Sequence, residues 1–387
     1  MNQYEYLKEL RSYLSPLGRI EEDRVIEYYA EFIDDKIESG IPEEEVLTQL
    51  GAPRELADKI LAETQEYENK SNNIKLDKNY MKKTYIVSDS GVSSIKVYTD
   101  MMKVKVCYRE DDRDEIRITY FENNKHNPII TNENGIIILN DKIELSVSNI
   151  FSILIGFGGV KRSRLETVIE IPKGNETLKV SVETNNAKIT ANDLFIDNLY
   201  LKTSNAEIYV SGSFRNDVYC KTSNSKINSG NISANTVIFI TSNGSCNAEN
   251  IISKNLSVST SNASINISNI NSDFVRLDTS NNSINLGDTI ANDSFYAQTS
   301  NGNINTKGID SDKVELDTSN GSIIATIIGK EKDFRIESGT SNGNDNISGR
   351  GNDSASKSLS AYTSNGNINI DFDDEYTVAK GLQKILN

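Results

Sequence analysis

The sequence predicts a small four-helix amino-terminal bundle joined to a single-stack β-solenoid of 19-residue coils. Three observations carry that expectation. Apolar residues near the amino terminus recur at spacings of three and four, the period of an amphipathic helix. A tripeptide then returns ten times, as Thr184-Asn185-Asn186 and as Thr-Ser-Asn beginning at Thr203, Thr222, Thr241, Thr260, Thr279, Thr299, Thr318, Thr340 and Thr363. Around each copy, apolar residues keep fixed offsets that alternate inward and outward as in a strand.

In the helical part, Leu7, Leu10, Leu14 and Leu17 make one face of a first helix. Val25, Tyr28, Tyr29, Phe32, Ile33 and Ile37 make the stripe of a second, which Gly40 ends. Pro42 suits a first helical position, and Glu43, Glu44 and Glu45 follow where the helix dipole favours anions. The third helix carries Val46, Leu47 and Leu50 and stops at Gly51; Pro53 opens a fourth with Leu56, Ala57, Ile60 and Leu61 inward. Residues 1–65 hold 16 Asp and Glu against 7 Lys and Arg. Such an excess is either a solvated face or a dock for a basic partner surface, and Glu31, Asp34, Asp35, Glu43, Glu44 and Glu45 are the candidate contacts.

Tyr6-Leu7 with Leu10, Tyr28-Tyr29 with Asp34-Asp35, Glu43-Glu44-Glu45 and Leu50-Gly51-Ala52-Pro53 together resemble the HAAS-type helical domain of bacterial envelope proteins. The resemblance covers residues 1–64. It implies a signalling role, often alongside PadR-like transcription regulators, with transmembrane helices commonly following the domain.

Residues 65–83 are rich in Asn, Lys and Glu and read as a flexible connection. From 84 to 374 the period is two, with the regular repeats at 180–370. Leu199 and Leu201 precede Thr203 while Ile208 and Val210 follow it, and Val314, Leu316 and Ile323 sit likewise around Thr318. A further apolar position recurs as Leu194, Ile232, Ile251, Ile270 and Ile309. Nineteen residues cannot enclose a core alone, whereas stacked copies bury a continuous one; a propeller blade would need about 40 residues. Right-handed coiling is expected from the handedness of parallel crossovers. The tripeptide Asn is expected to turn the chain in a left-handed conformation and to bond to its counterparts in a column.

Ile95, Val97, Thr99, Val104 and Val106 repeat the offsets without Ser-Asn, as an opening coil would. At the other end Asp371, Asp373 and Asp374 close the last strand. Residues 375–387, with Val378, Leu382, Ile385 and Leu386, suit a covering helix. The Thr-Ser-Asn-Gly-x-Ile unit resembles the bacterial adhesin-like (LiaG-like, DUF4097-like) β-strand repeat family over residues 84–374. That resemblance implies no catalytic residues.

Composition narrows the function classes. A net charge of -15 disfavours nucleic-acid binding, which Lys and Arg drive by releasing counterions. Cys107, Cys220 and Cys246 are too scattered for a zinc site or a disulfide framework, and the last two fall on core offsets. His126 lies alone in a polar loop, and the Asp371 run lacks calcium-repeat spacing, so no metal, cofactor or catalytic residue is expected. Ice-binding solenoids need a flat exposed Thr-x-Thr face, which one Thr per copy does not supply.

The amino terminus has no apolar signal-peptide core, and the longest apolar run, 11 residues at 150–160, falls short of the roughly 20 that span a bilayer. These features suggest a cytoplasmic protein, peripheral at the inner membrane face if Ile150, Phe151, Leu154 and Phe157 insert and Lys161, Arg162 and Arg164 meet anionic headgroups. A buried strand or flap is the alternative for that segment. The functional expectation is a non-enzymatic scaffold in envelope-stress signalling; an exported adhesin and a glycan-active solenoid enzyme are the alternatives.

Overall fold

The computed structural model describes residues 1–17, 19–38, 42–71, 80–123, 126–141 and 165–375. The chain divides into two compact units, one holding the helices and the other the strand stack.

The helices are α1 (Gln3–Tyr13), α2 (Arg19–Glu38), α3 (Glu43–Leu50) and α4 (Pro53–Ser71). Asn2 caps α1 through a reciprocal pair of bonds with Glu5, satisfying donors that the first turn would otherwise leave open. Tyr6, Leu10, Leu14, Val25, Tyr29, Ile33, Val46, Leu47, Leu56, Ala57 and Ile60 form one closed core. Leu7 and Leu17 pack at its edge, so the buried face of α1 is turned toward Tyr6, whose hydroxyl donates to the Gly51 carbonyl (2.9 Å). Pro42 stands just before α3 instead of opening it. The fourth helix runs to Ser71, into the segment expected to be flexible, because Ala62 to Ser71 contains no Gly or Pro and several strong helix formers.

In the stack every regular coil contributes a leading strand that ends on the tripeptide Thr and a trailing strand that follows it. Leading strands pair in parallel in unbroken register: Leu201 lies between Val182 and Cys220, and Thr203 between Thr184 and Thr222. Trailing strands also pair in parallel, with Ile208 between Ile189 and Ile227, but their register shifts between Val210 and Gly212. The expected inward residues, Leu199, Leu201, Ile208, Val210, Leu194, Ile232, Ile251, Ile270 and Ile309 among them, are all buried in one continuous core.

The tripeptide threonines are buried too, except the half-buried Thr340. Thr222, Thr241, Thr260, Thr279 and Thr318 each donate to the main-chain oxygen 16 residues earlier at 3.0–3.1 Å, tying each corner to the coil beside it. The Asn that follows is exposed and forms the expected column. Asn205 Nδ2 donates to Asn186 Oδ1 (2.9 Å), Asn224 to Asn205 (2.7 Å) and so on through Asn320.

The left-handed residues are not these asparagines. They lie at the opposite corner, at Asp193, Asn231, Asn250 and Asn269, with φ of 52–59°. The tripeptide corner needs no such conformation because bonds from the Ser and Asn amides to the neighbouring coil hold it, as with Ser204 and Asn205 on the Asn185 oxygen (3.1 and 2.8 Å). Glycine follows the tripeptide for a different reason. A Cβ on Gly244 or Gly321 would lie 1.6 or 1.7 Å from the carbonyl oxygen of the adjacent coil.

Both ends depart from sequential stacking. Ser94–Thr99 pairs with Lys179–Thr184 on one side and Ile136–Asp141 on the other, and Lys103–Tyr108 lies between Ile189–Ile196 and Glu166–Ile171. The coil that opens the sequence is therefore the second layer. The outer layer is covered by antiparallel strands, Ile129–Glu133 on Ile136–Asp141 and Glu115–Glu122 on Glu166–Ile171. At the other end Lys357–Thr363 inserts between Ile309–Thr318 and Phe334–Thr340. Asn365 bonds to Asn320 and Asn342 to Asn365, so the spatial order is 318, 363, 340. The strand expected to close the stack, Ile368–Asp373, lies one layer in. Equal offsets make the two orders equivalent in register, which is why the pattern alone could not separate them. The proposed covering helix at 375–387 falls almost wholly outside the described residues.

Candidate ligand-binding face

Alternation along the leading strands sends every second side chain outward, and parallel register lines these up along the stack. The central column reads Lys96, Ser181, Tyr200, Tyr219, Ile238, Ser257, Arg276 and Tyr296. Tyr200 and Tyr219 stack with centroids 5.0 Å apart and planes within 3°. One face of Tyr200 is thereby covered by Tyr219. On the other side the column drops to the short Ser181, with the longer Lys96 beyond. The result is a notch whose floor is Ser181.

A depression of about 470 Å³ follows this notch, lined outwardly by Ser94, Lys96, Lys179, Ser181, Asn198, Tyr200, Asp217, Tyr219, Thr236 and Ile238. That volume is within the usual range for small-molecule sites. Lys96 makes no ion pair among the described residues, and Lys179 reaches Asp197 only at 3.9 Å. Asn198 Nδ2 approaches Asp217 Oδ2 at 3.5 Å, so both keep capacity for a ligand. Asp217 is the one carboxylate lining the depression, whereas glycoside hydrolysis commonly uses two. The arrangement offers a mainly apolar depression edged by a few hydroxyl and amide groups and by lysines. It suits binding.

The trailing strands present a contrasting surface. Asn228, Asn247, Asn266, Asn285 and Asn305 form a second ladder with Nδ2–Oδ1 distances of 2.8–2.9 Å, which spends much of their bonding capacity within the protein. It reads as a seam between coils.

Residues 92–371 match the Toastrack DUF4097 family, more than half of the chain. The chain belongs to that family. Its Toastrack region follows a HAAS domain, matched over residues 5–59. Two solved structures are similar to the Toastrack chain at 12% identity, each covering 76% of it. One is a candidate cell-adhesion protein from Clostridium sporogenes, covered over 100% of its length with a TM-score of 0.23; the other is a candidate adhesin from Bacteroides fragilis, covered over 98% with a TM-score of 0.27. No curated protein matches significantly.

Of the residues singled out in the Toastrack chain from sequence, Asp34 accepts a bond from Gln3 Nε2 (2.9 Å) and Glu43 accepts one from the Gln3 amide, so both also hold α1 in place. Glu44 and Glu45 are exposed. The side chains of Glu31 and Asp35 lie outside the described residues, as do Ile150, Phe151, Leu154, Phe157, Lys161, Arg162 and Arg164. His126 exchanges main-chain bonds with Asn123 (2.8 and 3.1 Å), a tight reversal. Cys220 and Cys246 are fully buried; burial pushes the Cys246 thiol up to about 12, and Cys220 well up. No described helix is long and apolar enough to cross a membrane.

The sequence reading missed the tyrosine notch. Its signal was present as Tyr200 and Tyr219, one coil apart at an outward position, with a serine one coil earlier. Recognising it needed the register that makes equal offsets adjacent in space.

Proposed function

We propose that this Toastrack chain is a non-enzymatic interaction protein of bacterial envelope-stress signalling. In this reading the solenoid displays a rigid ligand face and the HAAS domain docks a basic surface on a regulator, a PadR-like protein being the expected class. The observation that carries the reading is the depression along the outward column at Ser181, edged by Lys96, which makes no ion pair among the described residues, on a stack held by main-chain and side-chain bonds at every coil. A rigid display loses little conformational entropy when a ligand docks. The acidic excess of the helical unit and its exposed Glu44 and Glu45 support the docking role.

The test is co-pelleting of the purified full chain with envelope fragments of its native cells. Wild type should pellet, and Ser181→Tyr, which fills the notch by extending the tyrosine stack, should stay in the supernatant. Equal pelleting of the two, with melting curves confirming that both are folded, removes the notch from the function.

A further inference from the structure

We propose that Asn342 is a deamidation site, the asparagine of the tripeptide ladder that converts first to aspartate and isoaspartate.

Five tripeptides are followed by glycine, at Gly244, Gly302, Gly321, Gly343 and Gly366. A glycine leaves its own amide nitrogen open to the preceding asparagine side chain, because no Cβ stands in the way. In the reaction the Gly343 nitrogen attacks Asn342 Cγ. The N–Cγ bond forms, the Cγ–Nδ2 bond breaks, and ammonia leaves with the proton given up by the glycine amide. Water then opens the cyclic imide at either carbonyl, which returns aspartate or isoaspartate. All five pairs share the run Ser-Asn-Gly followed by Ser or Asn, so the unfolded chain has no reason to separate them.

The stack separates them. Gly244, Gly302 and Gly321 donate their amides to Thr241, Thr299 and Thr318 Oγ1 at 3.1–3.2 Å, which directs the nitrogen away from the asparagine side chain. The carbonyl oxygens of Gly244, Gly302, Gly321 and Gly366 each accept from the threonine of the coil next outward at 2.8–3.0 Å, and all four glycines are buried. Asn243, Asn301, Asn320 and Asn365 are held by the ladder on both sides, each giving Nδ2 to one neighbour and receiving at Oδ1 from the other. A reacting pair must reach a particular geometry, and these corners are fixed away from it.

Asn342 stands in the outermost coil, where nothing among the described strands pairs beyond Phe334–Thr340. It keeps one ladder bond, giving Nδ2 to Asn365 (2.8 Å). Among the described residues nothing donates to its Oδ1, and Gly343 is exposed with its amide and carbonyl both unbonded. The Gly366 amide is unbonded too, but its carbonyl and Asn365 are held, which places Asn365 second in order. Conversion at Asn342 sets a carboxylate, which has no proton to give, against the Asn365 oxygen and adds negative charge to the open end of the ladder.

The experiment is incubation of the full chain at pH 8 in heavy-oxygen water, native and in urea, with each asparagine followed by peptide mapping and mass spectrometry. In the native chain Asn342 should convert about tenfold or more faster than Asn243, Asn301 and Asn320, with Asn365 between, whereas in urea the five rates should agree within about twofold. Thr318→Val removes the hydroxyl that receives the Gly321 amide and should speed conversion at Asn320 about tenfold in a chain that still melts cooperatively; Thr299→Val should do the same at Asn301. Equal native rates, an inner asparagine converting before Asn342, the same order persisting in urea, or folded threonine variants that leave Asn301 and Asn320 unchanged overturns the proposal.

Discussion

Replacing Leu201 with aspartate tests the coil register most directly. Leu201 is fully buried, with Val182 and Cys220 directly beside it in the neighbouring coils. Truncation to alanine removes apolar burial and leaves a cavity, a combination that costs about 2–5 kcal/mol in cores; the small Cys220 beside it allows some collapse, which places Leu201→Ala near about 3 kcal/mol. Leu201→Asp adds a carboxylate with no partner in an apolar interior, so its loss should exceed that of alanine by several kcal/mol. Asn205, four residues on, is exposed, and Asn205→Gly removes only the two ladder bonds to Asn186 and Asn224, about 1–3 kcal/mol at about 0.5–1.5 each and toward the low end because the ladder faces water. Urea unfolding followed by far-ultraviolet circular dichroism should rank the midpoints wild type, Asn205→Gly, Leu201→Ala, Leu201→Asp. Because each coil touches only its neighbours, the aspartate variant should also broaden the transition as coils on either side uncouple. Equal midpoints for Leu201→Asp and Asn205→Gly would refute the assigned register.

Three further expectations follow from particular contacts. A fragment of residues 1–71 should show helical circular dichroism and a cooperative melt, since its core residues close on one another; a featureless melt contradicts this. Asp111 is held below the usual carboxylate range by hydrogen bonds from Arg109 (2.5 and 2.8 Å), with further attraction from Arg117 and Arg113. A depressed folded value means stability present above the unfolded carboxylate pKa, near 3.9, and lost as pH falls through the folded one, so Asp111→Asn should lower the urea midpoint at pH 6 and converge with wild type in strong acid; parallel curves at all pH values contradict it. A thiol reagent at pH 8 should modify half-buried Cys107 first and reach Cys220 and Cys246 only after denaturation, because burial raises both thiols and blocks access; three equally fast reactions contradict the packing.

The recurrence of Thr-Ser-Asn with alternating apolar neighbours was sufficient to specify the strand faces, the repeat length and the buried residues, because a period of two leaves each side chain one choice of face. The helical periodicity of the first 64 residues likewise specified four helices and most of their core, with Tyr6 added to α1, Ile37 of the expected α2 stripe left exposed, and α4 extended to Ser71. Local patterning dictates such features. It could not order the layers at the two ends, since coils 94–108 and 357–373 carry the same offsets whether they lie outermost or one layer in. The 22- and 23-residue steps around Thr340 were the trace of that interleaving, but only pairing in space identifies which coil lies beside which. The tripeptide glycine followed the same logic: its sequence position suggested a turn requirement, and the close approach of the adjacent coil supplied the actual reason. The notch at Ser181 depends on the tertiary structure most of all. Lys96 and Ser181 are 85 residues apart in the chain and become neighbours only because Ser94–Thr99 pairs with Lys179–Thr184, an adjacency created by long-range strand pairing that no local period encodes.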